Sequence, residues 1–324
     1  MARAYVKINH LKELRMSSNL KVATPHIDLS PLSDTQPGQT RDTTGTRQKL
    51  RILSYNIQTG ISSSKYHHYL THSWKHVLPC AERIGNLDNI ARLLSEYDVV
   101  GLQEVDAGSL RSGFINQTKY IAERGHFPYW HDQTNRNPGK LAQHSTGFLS
   151  RIKPTSITEH KLPGMIPGRG ALGVHFGEGN GLLFLVLHLA LGRRARLRQL
   201  AYVAELISDY ENAVVVGDLN CRAESAEMHW LLRHSDLHEP LAGLHTFPSW
   251  RPLHNIDHIL VSSALRVENV QVLEHVSSDH LPIAMEISLP EHFDLNGQNA
   301  THLYPSLARS AALRIYSAGH LLKT

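Results

Sequence analysis

The sequence is poor in cysteine: Cys80 and Cys221, 141 positions apart, are the only two among 324 residues. That excludes a disulfide scaffold and suits a reducing compartment. Long apolar runs are also missing. The longest, Leu182 to Leu191, is about half of the ~20 residues that a membrane-spanning helix needs, and it contains His188. The first residues, MARAYVKINHLKELRM, lack the apolar stretch of a secretory signal. A soluble, cytoplasmic, monomeric protein is therefore expected. Apolar residues make up 41% of the chain, enough for a sizeable core, and the length allows one large domain or two small ones.

A charge excess is nearly absent once the chain is divided. The formal charge is +4, and residues 1–50, with 8 Lys/Arg against 4 Asp/Glu, account for all of it. Residues 51–290 hold 22 basic and 23 acidic side chains. Strong nucleic-acid binding usually leaves an electrostatic footprint on the domain itself, so a nucleic-acid partner is not favoured, although a local patch can hide inside a neutral total. Histidine, by contrast, is abundant at 23 residues. The plain reading is a polar surface that begins to charge near pH 6.5.

Residues 1–48 read as a disordered lead-in: the stretch PLSDTQPGQTRDTTGTRQ has no sustained apolar periodicity. Order is expected from 49 to 290 as one domain. KLRILSYNI alternates like a strand, and residues 82–96 place Ile84, Leu87, Ile90, Ala91 and Leu94 at helical spacing before the buried strand DVVGLQEV. Segments 146–151 and 169–176 are further strand candidates. The same rhythm returns with strand 182–191, a helix over 194–210 and strand 213–220, then strands at 255–262 and 280–289. This is an α/β pattern with sheets buried under outer helices. Residues 291–324 form a tail in which LYPSLARSAALRIYSAGHLL suits a helix, docked on the core or frayed, with peripheral membrane contact as the alternative.

Chemistry concentrates at the strand ends. Asn56 closes SYN, Glu104 closes LQE, and His188 sits in LVLHL. Asp218 and Asn220 close VVVGDLN, Asp257 lies in NID, and Asp279 and His280 form SSDH. A single strand-end Asp is more often a turn former; six such positions in succession carry the reading. Glu104, Asn56 and Asp279 are hard oxygen ligands suited to Mg2+ or Mn2+, and no Cys/His spacing suggests zinc. Asp218 and His280 are candidate proton handlers, and Asp257 a partner that orients the imidazole. Asn220 and His188 can donate hydrogen bonds to a phosphoryl oxygen. Together these types describe metal-assisted hydrolysis of a phosphate ester.

LSYNIQTG, VGLQEVD, TGFLSR, His188–Leu189, VVVGDLN, NIDHILVS and SSDHLPI occur in the order seen in the endonuclease/exonuclease/phosphatase superfamily, which the chain resembles over about residues 51–289. The resemblance implies a DNase I-like fold, a four-layer αββα sandwich of two packed mixed sheets flanked by helices. It implies Glu104 as principal metal ligand, with Asn56 and Asp279 nearby. It also implies that Asp218 orients or deprotonates water, that Asn220 holds the phosphate, and that His188 and His280 stabilise the transition state, with Asp257 bonded to His280. Asp218 and the Asp257–His280 pair both stay open as the base. Arg169, in GRGAL, matches a position where many members carry Arg; a structural salt bridge is the alternative. The chain departs from abasic-site endonucleases, reading LQEVD and GDLNCR and lacking their mid-chain Tyr-Gly signature. It looks closer to small stand-alone bacterial members, some of which are thought to act on lipid or small-molecule phosphoesters.

The expected activity is thus a metal-dependent phosphodiesterase, with a nuclease and a catalytically silent phospho-ligand-binding module as rivals. Arg193, Arg194, Arg196 and Arg198 form the one dense basic patch of the core, a grip for a second phosphate, a nucleic-acid backbone or a lipid head, or simply a solvated helix start. Arg193 and Arg196 are taken, with Arg169, as substrate-binding candidates. His68, His72 and His76, at i, i+4, i+8, read as a polar helix face, with metal binding as the alternative. Trp250 reads as a loop anchor rather than a stacking platform, and Cys221 as a small buried residue. Asn116 and Asn299 match a glycosylation pattern that carries no meaning without a secretory signal.

Overall fold

The computed structural model describes residues 20–23, 26–27, 48–61, 81–136, 141–164, 168–177, 181–241, 243–290 and 315–316. His68, His72, His76, Cys80 and Asn299 lie outside these residues.

Two β-α-β units organise the chain. In the first, β3 (Lys49–Asn56) leads through α1 (Ala81–Leu94) to β4 (Val99–Asp106), and β3 and β4 pair in parallel. In the second, β9 (Leu182–His188) leads through α3 (Arg193–Ile207) to the parallel β10 (Asn212–Asp218). Every other pairing in the two sheets is antiparallel. The remaining elements are β1 (Leu20–Ala23), β2 (His26–Ile27), α2 (Gln117–Gly125), β5 (Tyr129–Arg136), β6 (His144–Ser150), β7 (Ser156–Lys161), β8 (Gly170–Phe176), α4 (Ala226–Arg233), β11 (Leu237–His238), β12 (Asp257–Ser262), β13 (Arg266–Leu273), β14 (Ile283–Ser288) and β15 (Ile315–Tyr316). One sheet runs β1-β7-β8-β9-β10-β12-β11 and the other β15-β13-β14-β3-β4-β6-β5-β2.

Strand alternation divides the apolar residues into three layers. On β9, Leu182, Phe184 and Val186 face the space between the sheets, where they meet Leu50, Ile52, Val99 and Phe148 of the other sheet. Leu183, Leu185 and Leu187 face the opposite way, under Leu200 and Val203 of α3. Leu53 and Tyr55 of β3 likewise pack beneath Leu87, Ile90 and Leu94 of α1. The result is helix, sheet, sheet, helix: the four-layer sandwich expected. Gly101 permits the sheets to close, because a Cβ there would lie 2.6 Å from Val216. Gly217 has φ +142 and no room for a Cβ, which would sit 2.0 Å from the Leu187 carbonyl oxygen.

Among the described residues the strands and helices expected between 49 and 290 are present, each displaced by a few residues at its ends. Strands β5, β7 and β13 and helices α2 and α4 were not anticipated. Two short strands, β1 and β2, fall inside the stretch expected to be disordered and lie at sheet edges, paired with β7 and β5. In the C-terminal stretch expected to be helical, the described pair Ile315–Tyr316 is a strand against β13. No described helix is long and apolar enough to cross a membrane.

Candidate active site

The two parallel pairs end at the same edge of the sandwich, and their last residues face one another across the sheets. Asn56 ends β3, and its Nδ2 donates to Asp218 Oδ2 at 3.2 Å, tying one sheet to the other. Asp218 ends β10 in register with His188 of β9 on one side and Asp257 of β12 on the other. Its Oδ1 accepts the Asn220 backbone N–H at 2.9 Å. His188 Nε2 is 3.6 Å and His280 Nε2 3.9 Å from Asp218 Oδ2, too long for direct hydrogen bonds, so both ring nitrogens remain available to a ligand. His280 Nδ1 is held by Asp257 Oδ2 at 2.8 Å, and Thr246 Oγ1 donates to that same oxygen. Asn220 Nδ2 donates to the Leu189 carbonyl at 2.9 Å, which orients its amide at the rim.

Glu104 lies where the β4–β6 ladder loses register, with φ of 55°. Its carboxylate is 3.9 Å from His188 Nε2 and one-third exposed. Asp279 is buried; the Ser278 hydroxyl donates to the Asn56 backbone carbonyl at 2.7 Å and lies 3.2 Å from Asp279 Oδ1. Asn220 shares the left-handed backbone of Glu104, with φ of 52°. Non-glycine residues pay for that conformation, and such positions concentrate at functional sites.

The buried charges separate the proton roles. For His280, burial opposes the charged ring, but the adjacent Asp257 and then Asp218 outweigh it and raise the pKa to about 10. Its imidazolium is therefore a donor at neutral pH. His188 is held well below its ordinary range by burial, aided by Arg169 and His280, and is neutral. Burial, with the charge of Asp257, raises Asp218 to about 7. That favours Asp218 over His280 as the group that accepts a proton from water near neutrality.

The oxygen donors fit a divalent cation. Burial and the Glu104 charge push the Asp279 carboxyl up to about 6, so a cation beside it would favour its ionised form. Glu104 has no hydrogen-bond donor among the described residues. Asp218, Asp257 and His280 also bring ligand atoms within 4.8 Å of one another. There, however, the Asp257 oxygen and the His280 Nδ1 already bond each other, and the Asn56 Oδ1 accepts the Gln58 N–H at 3.1 Å, so the Glu104 and Asp279 carboxylates are the less occupied oxygen donors.

The sequence model of the endonuclease/exonuclease/phosphatase family matches residues 53–280, most of the chain and every one of these strand ends. The chain belongs to that family. No curated protein matches it. Solved structures share the fold: an endonuclease/exonuclease/phosphatase from Beutenbergia cavernae (TM-score 0.60, 20% identity, 75% of this chain and 72% of that one) and the Bacteroides thetaiotaomicron mannosyl-6-phosphatase (TM-score 0.56, 19% identity, 74% and 100%). The beta toxin of Staphylococcus aureus is more distant (TM-score 0.52, 14% identity, 73% and 99%).

Beside this cluster of strand-end residues a cleft of about 800 Å³ opens, sharing Glu104 and His188 with it. Arg169 lines this cleft, and its side chain makes no hydrogen bond or ion pair with described residues; burial lowers its pKa while Glu104 and Asp218 act the other way. The alternative reading, a structural salt bridge, finds no partner among the described residues. Arg193 also lines the cleft, though its Nε is 3.4 Å from Glu227. Arg196 does not join the site. Its guanidinium bonds Glu227 at 2.8 Å and the carbonyls of Ala190 and Leu191, because the helix turn places it toward α4. Trp250 is half-buried in a turn and does not line the cleft. Burial raises the Cys221 thiol to about 11, an inert buried residue as expected.

Three site residues carry no sequence signal of their own. Ser278 joins Asn56 to Asp279. His144 lines the cleft. Asp106, two residues after Glu104, is fully buried and takes hydrogen bonds from the Gly108 and Ser109 N–H groups, from Ser109 and Ser112 hydroxyls, and from Arg111. It fixes the loop that follows Glu104. The VD of LQEVD was the available hint. Asn116 is likewise structural, capping α2 through the Lys119 N–H.

Proposed function

We propose that the protein is a divalent-metal-dependent phosphoesterase that cleaves a phosphodiester by attack of water. The observation that carries this is the convergence of Asn56, Glu104, His188, Asp218, Asn220, Asp257, Asp279 and His280 from both sheets on one edge, with their protonation states split by environment.

A cation held by Glu104, Asp279 and Asn56 would supply Lewis-acid stabilisation of phosphoryl charge. Asp218, fixed by Asn56 and the Asn220 N–H, takes the proton of the attacking water. The His280 imidazolium, its charge balanced by Asp257, donates from Nε2 to a phosphoryl oxygen as negative charge builds there. Neutral His188 and the free N–H of the Asn220 amide add donors. Asp218, His280 and Asn220 need not reorganise, because each is pinned by a neighbour.

The surroundings favour an amphiphilic or small-molecule ester over DNA. Phe114, Leu141, Leu191, Leu253 and Val276 are the exposed large apolar residues among those described. All five lie in loops at the catalytic edge, following β4 and β9 or preceding β6, β12 and β14. Such exposed apolar side chains around a site suit a substrate with an apolar part. The test is hydrolysis of bis(p-nitrophenyl) phosphate and p-nitrophenyl phosphate with Mg2+, Mn2+ or EDTA, with Asp218→Ala as the blank. Metal-dependent turnover of the diester that the variant lacks is the expected result. Turnover unaffected by Asp218→Ala would overturn the assignment, and salt-sensitive plasmid nicking would turn it toward the nuclease reading.

A further inference from the structure

The cleft beside the catalytic edge is cationic out of proportion to the neutral domain that contains it. Five arginines line it, Arg136, Arg169, Arg193, Arg194 and Arg198, against one carboxylate, Glu104. Only Arg193 has a carboxylate partner among the described residues. Helix phase explains the division. Arg194 and Arg198 are one turn apart on α3 and share the face that lines the cleft, whereas Arg196 turns toward Glu227. The α3 N-terminus opens there too: Gly192 lines the cleft and caps the helix with no side-chain hydrogen bond, so the positive end of the dipole adds to the arginines.

Guanidinium groups gathered in one concavity repel one another, and a partner of opposite charge removes that cost. The scissile phosphate does not meet this need. It belongs at Asp218, His188 and His280, and only His188 and Glu104 are shared between that place and the cleft. A volume of about 800 Å³ holds far more than a single phosphate.

We propose that the cleft is a subsite for a second phosphate group on the substrate, gripped by Arg136, Arg169, Arg194 and Arg198 while the first lies over Asp218. This rests on the phosphoesterase reading and narrows it: the substrate is an ester that also carries another phosphate, whether on a soluble molecule or on a lipid head. Bidentate guanidinium contacts supply the specificity for such a group.

Titration calorimetry of the full chain in EDTA, with inorganic pyrophosphate as the probe, tests the subsite without the metal. The Arg194→Gln/Arg198→Gln double variant alters two exposed side chains and leaves the fold intact, which its melting temperature checks. Pyrophosphate is expected to bind, with affinity lowered about tenfold or more in the double variant and retained in Asp218→Asn. Absence of binding, or an affinity indifferent to both arginines, would overturn the proposal. Bis(p-nitrophenyl) phosphate turnover with Mn2+, measured alongside, separates the two ideas. Turnover with no arginine-dependent pyrophosphate binding sinks the subsite alone; binding without metal-dependent turnover of this ester or of one that also carries a second phosphate sinks the phosphoesterase reading. Sedimentation with phosphatidylcholine vesicles containing phosphatidic acid identifies the source. Association lost in the double variant and in Leu191→Ser assigns a lipid phosphate, and pyrophosphate binding without association assigns a soluble one.

Discussion

At one end of the sandwich Asn56, Glu104, His188 and Asp218 emerge from their strands into a crowd of buried charge; at the other, Arg151 follows β6 and settles four loose carbonyls. Its Nε donates to Tyr97, Nη1 to His126, and Nη2 to Ser95 and Gly125, at 2.7–3.2 Å. Those carbonyls close the C-termini of α1 and α2, where a cation is favoured. Backbone geometry divides in the same way. Among the described residues, Gln58, Thr59, Glu104, Phe114 and Asn220 have positive φ at the catalytic end, and His126, the α2 C-cap, is the one such non-glycine residue at the other. The lesson is that the far end meets its loose carbonyls with a cation, whereas the catalytic end gathers carboxylates and imidazoles whose ordinary charge states burial opposes.

The largest effect that would break this contrast is on turnover. Glu104→Gln and Asp218→Asn are each expected to lower kcat by about a thousandfold, as loss of a metal ligand or a general base does. Asp218→Asn should also raise the melting temperature in EDTA. The sign follows from linkage: a carboxyl whose folded pKa lies near 7, above its unfolded value, costs stability that grows as pH rises from about 4 to 7, and the amide has no such cost. A melting temperature that falls in this variant would mean that Asp218 holds the fold together and that the contrast between the ends is false.

Arg151→Ala should do the reverse. Leaving its carbonyl partners without a donor is expected to cost about 2–4 kcal/mol in urea unfolding, with kcat unchanged. A lowered kcat at full folding would show that the far end supports the site.

Asp106 sharpens the comparison, because it is a satisfied carboxylate lodged at the catalytic end. Burial alone would raise its pKa; the Ser109 hydrogen bonds and the Arg111 charge override that and hold it at about 2. Its contribution is present above the unfolded pKa near 4 and is lost as pH falls from about 4 through 2, about 2 kcal/mol in all. In Asp106→Asn that acid-induced loss should shrink. A variant with the same acid slope as the parent would remove Asp106 from the ledger of stabilising groups.

What the sequence makes legible follows the same physical division. The apolar strands β3, β4, β9, β10 and β12 announce themselves by composition, and the polar residue at each end stands out against them. Strands β5 and β7 do not, because polar residues take most of their interior positions, with Ile157 the one fully buried apolar residue of β7. His131 Nε2 meets Glu159 at 2.9 Å, and Gln133 donates to the His160 carbonyl at 3.0 Å, a polar bridge between the sheets that no apolar alternation reveals. Helix α2 hides for a related reason: of QTKYIAERG, only Ile121 and Ala122 join the apolar core. The role of Arg196 was misread because it depends on where α4 packs. Glu227 has no pattern in sequence that ties it to α3.

The smallest expected effect tests the boundary between catalytic edge and cleft. Arg169 is partly buried and unpaired among the described residues, so burying it costs the fold something that only a bound anion would return. Arg169→Gln is expected to lower kcat/KM for a phosphodiester about tenfold, mainly through KM, while leaving the melting temperature unchanged or slightly higher. Arg169→Lys should recover only part of the loss, since an ammonium keeps the charge but not the two-pronged geometry. Were Arg169→Gln to lower stability and leave KM alone, Arg169 would belong with Arg151 as a structural cation, and the charged end of the molecule would begin at the arginines of α3 instead.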